Sequence, residues 1–378
     1  MRIGIDATAI ITYPSGISVY TLNLIRALTQ IDKYNNYILF YTIGMHSRAR
    51  PVFFPQSNFK SSAKFLPERF KRAIMKFTPL SFSHLIGNID LFHSIDYKAV
   101  KLTRGERWIA TIHDLIFILF PENITKCYLK TIMDYAENYL PRADYIITDS
   151  ECSKRDIINI LNWPEDRISV VYGAVNFRIQ PGARQKAQEI LGFNQPYILT
   201  VSTFEPRKNY SRLFRAFDRL KAIYKQPIKL VAAGTLGWLY DDIFNTHRKC
   251  RFSDDIVILT NVSNAQLGIL YSGAEFFVYP SIYEGFGLPI LEAQYMGKAV
   301  LAGNNSSIPE VVGDSALLVN VKDEEELVRG MLTLLEDPDL RTKLVQKGYS
   351  NLRRFSWEKT AQETLSVYER VFHQLGKK

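Results

Sequence analysis

Cysteine is scarce in this chain of 378 residues. Three are present, Cys127, Cys152 and Cys250, and they stand far apart. They make neither a disulfide framework nor a metal-ligand pattern, and a reducing, cytoplasmic setting fits them best. Long apolar runs are missing too. The best candidate, Leu115 to Phe120, falls far short of the roughly 18 residues a membrane span needs. Asp6 stands where a secretory signal would need apolar residues, so no export signal is expected. No Gly-x-Gly-x-x-Gly follows the first apolar run, which excludes the dinucleotide fingerprint of dehydrogenases. No P-loop glycine–lysine pattern occurs either, which argues against a P-loop ATPase. No metal-ligand constellation and no cofactor signature is visible.

The composition is ordinary for a folded protein, with 47% hydrophobic and 22% charged residues, which excludes a disordered chain. A single core rarely grows past roughly 250–300 residues, so two domains are expected. Net charge is +9, yet residues 1–172 carry 21 basic against 16 acidic groups, so that half is not strongly basic. Its excess is concentrated in residues 59–77, where six basic groups meet Glu68 alone and alternate with aromatics. Such a segment can lie on an anionic membrane surface; a solvated helix whose aromatics pack on their own domain is an equal reading. Nothing in it is organised for nucleic acid.

Apolar runs alternate with helical patterns. Ile3–Ile5, Tyr37–Ile43, Leu91–His93, Trp108–Ile112, Tyr145–Thr148 and Ser169–Tyr172 read as strands. Helices are expected with Tyr20, Leu24 and Leu28 on one face, and over Tyr128–Leu140 and Ser153–Leu161. Residues 173–185 are polar and read as a linker. The pattern then restarts with strands at Tyr197–Val201, Ile228–Ala233, Ile256–Leu259, Glu275–Tyr279, Ala299–Ala302 and Leu317–Val319. Helices between them are expected near Tyr210–Tyr224, Ala265–Ser272, Pro289–Met296 and Glu324–Leu335, the last with a capping box at Asp323 and Glu326. Near-continuous apolar strands alternating with helices imply parallel sheets covered on both faces. The expected fold is α/β: two Rossmann-like, doubly wound domains (1–172 and 186–355) facing a cleft, with 356–378 a C-terminal helix that crosses back to the first domain.

The most informative stretch is Tyr279 to Gln294. A strand ends there, Gly285 and Gly287 follow, and Pro289 opens a helix. Glycines let backbone approach a ligand, and the amides of Phe286, Gly287 and Leu288 at a helix start suit a diphosphate. Glu284 and Glu292 flank them with seven residues between. A plain strand–turn–helix is the bland alternative. A second signal is Arg207-Lys208, adjacent cations after the first strand of the second domain, against a merely solvated charged turn. A third is His113 at the end of an apolar strand, placed to bond a sugar hydroxyl or else a core histidine satisfied by Asp114 or a backbone carbonyl.

Together with residues 306–319 (SSIPEVVGDSALLV), these motifs make the chain resemble, over nearly its whole length, the retaining nucleotide-sugar glycosyltransferases of family 4, the group 1 glycosyl transferases, which have the GT-B fold. The resemblance implies roles. Glu292 would hold the ribose hydroxyls and Glu284 the donor sugar. Arg207, Lys208 and the amides of Phe286, Gly287 and Leu288 would bind the diphosphate. Gly16 would let backbone approach the same group, His113 would bond the sugar near its C6 hydroxyl, and Thr260–Leu267 would lie along the base. Many relatives carry an Arg four residues before the cation pair. Here that neighbourhood reads Val201-Ser202-Thr203, which leaves open which cation holds the distal phosphate.

The implied reaction is metal-independent transfer of a hexose from a UDP-glucose or GDP-mannose type donor to a saccharide or lipid-linked saccharide, in surface polysaccharide biosynthesis. The expected location is cytoplasmic, or peripheral at the inner face of the cell membrane. A nucleotide-sugar epimerase of the same fold and a non-catalytic nucleotide-sugar-binding protein are the alternatives.

Overall fold

Strand β1 (Arg2–Asp6) has Ile3 and Ile5 fully buried and Gly4 and Asp6 buried on its other face. Burial on both faces marks a sheet covered on both sides, and the computed structural model bears this out. It describes residues 1–12, 15–43, 50–65, 86–97, 100–103, 105–175 and 183–374. The chain forms two compact units, Met1–Leu115 with Cys127–Ala174 and Ser356–Lys378, and Ile116–Lys126 with Val175–Phe355.

The first unit holds a parallel sheet of β1, β2 (Asn36–Ile43), β3 (Phe59–Phe65), β4 (Leu91–Ser94), β5 (Arg107–Thr111), β6 (Tyr145–Thr148) and β7 (Ile168–Val170), in the order 3-2-1-4-5-6-7. Helices α1 (Gly16–Ile31), α2 (Lys126–Asn138) and α3 (Glu151–Leu161) belong to it. Tyr20, Leu24 and Leu28 of α1 enter the core, as their spacing predicts. Strand β3 was not expected. It pairs with β2 from Phe59 to Phe65, and Phe59 is buried, stacked on Tyr37 with ring centroids 4.3 Å apart. Phe59 is therefore core and is withdrawn from any membrane face; residues 66–77 of that basic segment lie outside the described residues.

The second unit holds β8 (Tyr197–Val201), β9 (Lys229–Gly234), β10 (Ile256–Thr260), β11 (Phe276–Tyr279), β12 (Val300–Gly303) and β13 (Leu317–Val319), in the order 10-9-8-11-12-13, all parallel. Its helices include α4 (Tyr210–Ile223), α5 (Asp241–Lys249), α6 (Asn264–Gly273), α7 (Leu288–Tyr295), α8 (Ile308–Val312), α9 (Glu324–Glu336) and α10 (Pro338–Leu352). The strand order reverses between β8 and β11, the switch point at which doubly wound sheets bind ligands.

Helix α11 (Trp357–Gln374) packs into the first unit through Ala361, Val367, Tyr368 and Val371. The Tyr368 hydroxyl meets His93 Nδ1 at 2.7 Å. Ile116–Lys126 belongs to the second unit, where the Phe120 ring lies 5.6 Å from that of Tyr283 and the Asn123 carbonyl accepts from the Trp238 indole. The unit boundaries differ from the sequence expectation at that segment; most of the linker region, residues 176–182, is outside the described residues. The capping box at Asp323 is corrected. Asp323 accepts from the Glu325 amide at 2.8 Å, and Glu326 reaches the Asn320 amide instead of the cap. Among the described residues no helix is long and apolar enough to cross a membrane.

Candidate active site

Three loops meet at the carboxyl ends of β8, β11 and β12, which are neighbours in the sheet. The first carries Glu205 to Asn209. Asn209 sits at φ +62°, a left-handed conformation that asparagine tolerates better than most residues. Its buried amide donates to the carbonyls of Pro280 (3.1 Å) and Val321 (2.9 Å). The second loop, Pro280 to Gly287, is tied to the first: the Ile282 amide donates to the Arg207 carbonyl (2.9 Å). The third holds the second from its far end. Ser306 Oγ accepts from the Glu284 amide (3.0 Å), and Ser307 Oγ donates to the carbonyls of Glu284 (2.9 Å) and Phe286 (3.1 Å). Buried polar groups need such partners, so the three loops are mutually fixed.

The braces bring Arg207, Lys208 and Glu284 into one ion cluster. Arg207 Nη1 donates to Glu284 Oε2 at 2.8 Å and to the Tyr283 carbonyl at 2.9 Å. Lys208 Nζ donates to Glu284 Oε1 at 2.6 Å, and the Tyr279 hydroxyl donates to the same oxygen at 2.8 Å. Arg207 Nε and Nη2 both reach Glu205 Oε1, at 3.0 and 2.8 Å. The Glu284 side chain is 7% exposed and that of Glu205 4%. Burial alone would push the Glu284 carboxyl up, but Arg207 and Lys208 outweigh it and hold it at about 2. It is a carboxylate at every working pH.

Gly287 then turns the chain at φ +109°, a conformation that strains any residue with a Cβ. The first amides of α7, at Leu288 beside Gly287, have no acceptor within the helix, and Pro289 brings no amide of its own. Phe286 is buried, its ring 5.6 Å from that of Phe355. One turn into α7, Glu292 accepts from the Tyr271 hydroxyl at 3.0 Å. Desolvation raises its carboxyl to about 7, with the Tyr271 bond opposing weakly. The rotation of α7 is fixed by Gln294, whose Nε2 donates to Ser315 Oγ (2.7 Å) and whose Oε1 accepts from Asn351 (2.9 Å).

His113 and Gly16 lie in the first unit. His113 Nδ1 meets Asp149 Oδ2 at 2.5 Å, and Nε2 meets the Ile95 carbonyl at 3.0 Å. Two acceptors ask for two N–H groups, hence an imidazolium. Burial opposes that charge, but Asp149 overrides it and raises His113 to about 9. The partner is Asp149 and not Asp114, and both ring nitrogens are engaged. To bond a sugar hydroxyl, His113 would have to exchange one of these partners. Gly16 opens α1 behind a Ser15–Ser18 capping box, and among the described residues an added Cβ there meets nothing within 4 Å.

Sequence reasoning missed Glu205, Asn209, Tyr271, Tyr279, Ser306, Ser307 and Asp149. Two signals were usable: Ser306 and Ser307 open the 306–319 motif, and Asn209 follows the cation pair where a turn into a helix favours Gly or Asn. Among the described residues no group of three or more His, Cys, Asp or Glu side chains is arranged to hold a metal ion.

An ion cluster and helix start at the switch point of one of two doubly wound units define a protein of the GT-B fold class. Similarity to solved structures agrees: sucrose-phosphate synthase from Thermosynechococcus elongatus superposes with a TM-score of 0.76 over 99% of this chain and 100% of that one, at 18% identity. Residues 183–351 match the model of the glycosyl transferases group 1, and residues 14–178 that of Glycosyltransferase Family 4. The O-antigen chain mannosyltransferase B of Escherichia coli is 30% identical over 97% of this chain and 99% of its own length. The N-acetylgalactosamine-N,N'-diacetylbacillosaminyl-diphospho-undecaprenol 4-alpha-N-acetylgalactosaminyltransferase of Campylobacter jejuni is 28% identical over 60% of each chain. The chain belongs to glycosyltransferase family 4 and is a glycosyltransferase.

Proposed function

We propose that this enzyme transfers a hexose from a nucleotide-diphosphate sugar to a saccharide or lipid-linked saccharide in surface polysaccharide biosynthesis, with retention at the anomeric carbon. The observation that carries the reading is the cluster of Arg207 and Lys208 on Glu284, in the loop that leads into α7 at the switch point. The mannosyltransferase among the similar proteins favours a GDP-mannose type donor over UDP-glucose. The undecaprenol-linked substrate in another relative's name supports a lipid-linked acceptor.

In this reading the two cations and the amides of Phe286, Gly287 and Leu288 take the diphosphate, Glu292 the ribose hydroxyls and Glu284 those of the sugar. The resemblance implies donor-binding roles for Gly16 and His113 as well. As the bond from anomeric carbon to phosphate breaks, negative charge grows on the diphosphate. Fixed cations and amides stabilise that charge more in the transition state than in the ground state. The departing phosphate oxygen accepts the proton of the acceptor hydroxyl, which attacks from the same face. This differs from retaining glycosidases, where a carboxylate forms a covalent intermediate. The protein's own cations do here what a metal ion does elsewhere.

Peripheral contact with an anionic membrane through residues 59–77 is proposed on charge alone, with Lys60 and exposed Lys64 on β3 and without Phe59. Sedimentation with anionic vesicles at low salt checks it; failure to sediment removes that contact. The activity is tested by incubating labelled GDP-mannose and UDP-glucose with and without lipid-linked saccharide acceptors. Labelled product only in the presence of acceptor, with the α-configuration kept, is expected. Sugar isomerisation without acceptor would replace transferase by epimerase.

A further inference from the structure

We propose that Glu284 is a built-in counter-anion for Arg207 and Lys208 that the donor's diphosphate displaces, and that this exchange makes the site favour an intact nucleotide-sugar over a free diphosphate. The inference rests on reading this cluster as the diphosphate site.

Carboxylate and phosphate oxygens are competing acceptors for the same charged donors. Glu284 already occupies Arg207 Nη1, Lys208 Nζ and the Tyr279 hydroxyl, at 2.8, 2.6 and 2.8 Å. The formal charges of Glu205, Arg207, Lys208 and Glu284 sum to zero, so an incoming diphosphate meets no net positive charge. It gains these donors only as Glu284 gives them up.

The two cations are not equivalent in that exchange. Arg207 keeps Glu205, which grips Nε and Nη2 on the side of the guanidinium away from Nη1. Its plane therefore stays oriented whatever Glu284 does. Lys208 has Glu284 as its one carboxylate among the described contacts, so Lys208 is the cation that changes partner. This assigns Lys208 the exchanging role and Glu205 a positioning role.

A displaced Glu284 carboxylate is still buried, and a buried charge without donors is strongly disfavoured. The hydroxyls of a donor sugar supply those donors; a free diphosphate has none to offer. Intact donor thus completes the exchange, whereas the diphosphate left after transfer competes with a returning Glu284. The same carboxylate selects substrate and expels product.

The test uses inorganic pyrophosphate as the probe, with calorimetric Kd values for wild type, Glu284→Gln and Glu205→Gln. Glu284→Gln is expected to bind pyrophosphate at least about tenfold more tightly than wild type, and Glu205→Gln to gain clearly less. Equal gains in the two variants, as mere removal of charge would give, overturn the proposal, as does no gain in Glu284→Gln. If Glu284→Gln does not fold, Glu284→Asp replaces it. Its shorter side chain is expected to loosen the hold on Lys208, so that pyrophosphate raises its Tm more than that of wild type; an equal or smaller rise counts against the exchange. Pyrophosphate binding neither wild type nor variant, with no nucleotide-hexose raising Tm either, overturns the reading of the site itself. Binding that ignores Glu284 overturns only the exchange.

Discussion

Glu284 and Glu292 flank one glycine turn, and their surroundings drive them in opposite directions. Glu284, in the loop, has two cations and a hydroxyl on it and is held at about 2. Glu292, one turn into α7, has the Tyr271 hydroxyl and is raised to about 7 by desolvation. Two carboxylates that look alike in sequence are thus a permanent anion and a group poised near neutrality. Environment, not residue type, sets their charge: one faces two cations, the other a neutral hydroxyl.

The largest effect should come from the anion's partners. Lys208→Ala is expected to lower kcat by about 100-fold and Arg207→Ala by at least about tenfold, since each charge matters most as the diphosphate leaves. Steady-state turnover of folded variants checks this, and wild-type rates in either would remove that residue from the site.

Next come the two glutamates themselves. Glu284→Gln should lower kcat by about tenfold or more, whereas Glu292→Gln should raise the donor KM by about tenfold with kcat nearly kept, the pattern of uniform binding. Equal splits would erase the distinction. The pH dependence sharpens it. As pH falls through about 7, Glu292 gains a proton and loses an acceptor, so nucleoside diphosphate affinity should weaken in wild type and be flat in Glu292→Gln. Glu284, held at about 2, adds nothing in that range.

Smaller effects are expected on stability. Asn209→Ala loses two buried anchors and places a Cβ residue at φ +62°, and should cost about 2 kcal/mol in denaturant unfolding. His113 and His93 of the first unit should act oppositely. His113 is raised from 6.5 to about 9, so its contribution is full below pH 6.5 and lost as pH rises through 9; Asp149→Asn should flatten that slope. His93, lowered to about 3 by burial and then by the charge of His113, contributes above 6.5 and loses that contribution as pH falls towards 3. Unfolding free energies across pH test both signs. EDTA should leave turnover unchanged; loss restored by Mg²⁺ would reveal a metal site.

Much of this was legible in the sequence because it is local. Strand periodicity, the glycine turn before Pro289 and the adjacent cations are each set by a few neighbouring residues. Strand β3 was not: Phe59–Phe65 is a lysine-bearing edge strand, and its charges read as surface chemistry. The pairing of Glu284 with residues 76 and 77 positions away is tertiary, and no spacing rule announces it. The same holds for Asp149 on His113, 36 residues apart, where Asp114 was the nearer candidate.

The proposed chemistry turns on the donor's diphosphate binding at Arg207 and Lys208. A thermal-shift screen of UDP, GDP, ADP and their hexose conjugates against wild type and Lys208→Ala tests it most directly. One nucleotide-hexose should stabilise wild type, by about 2.7 kcal/mol at 100 times its Kd, and should lose most of that effect in Lys208→Ala. Equal stabilisation of both proteins, or none by any nucleotide, would contradict the account.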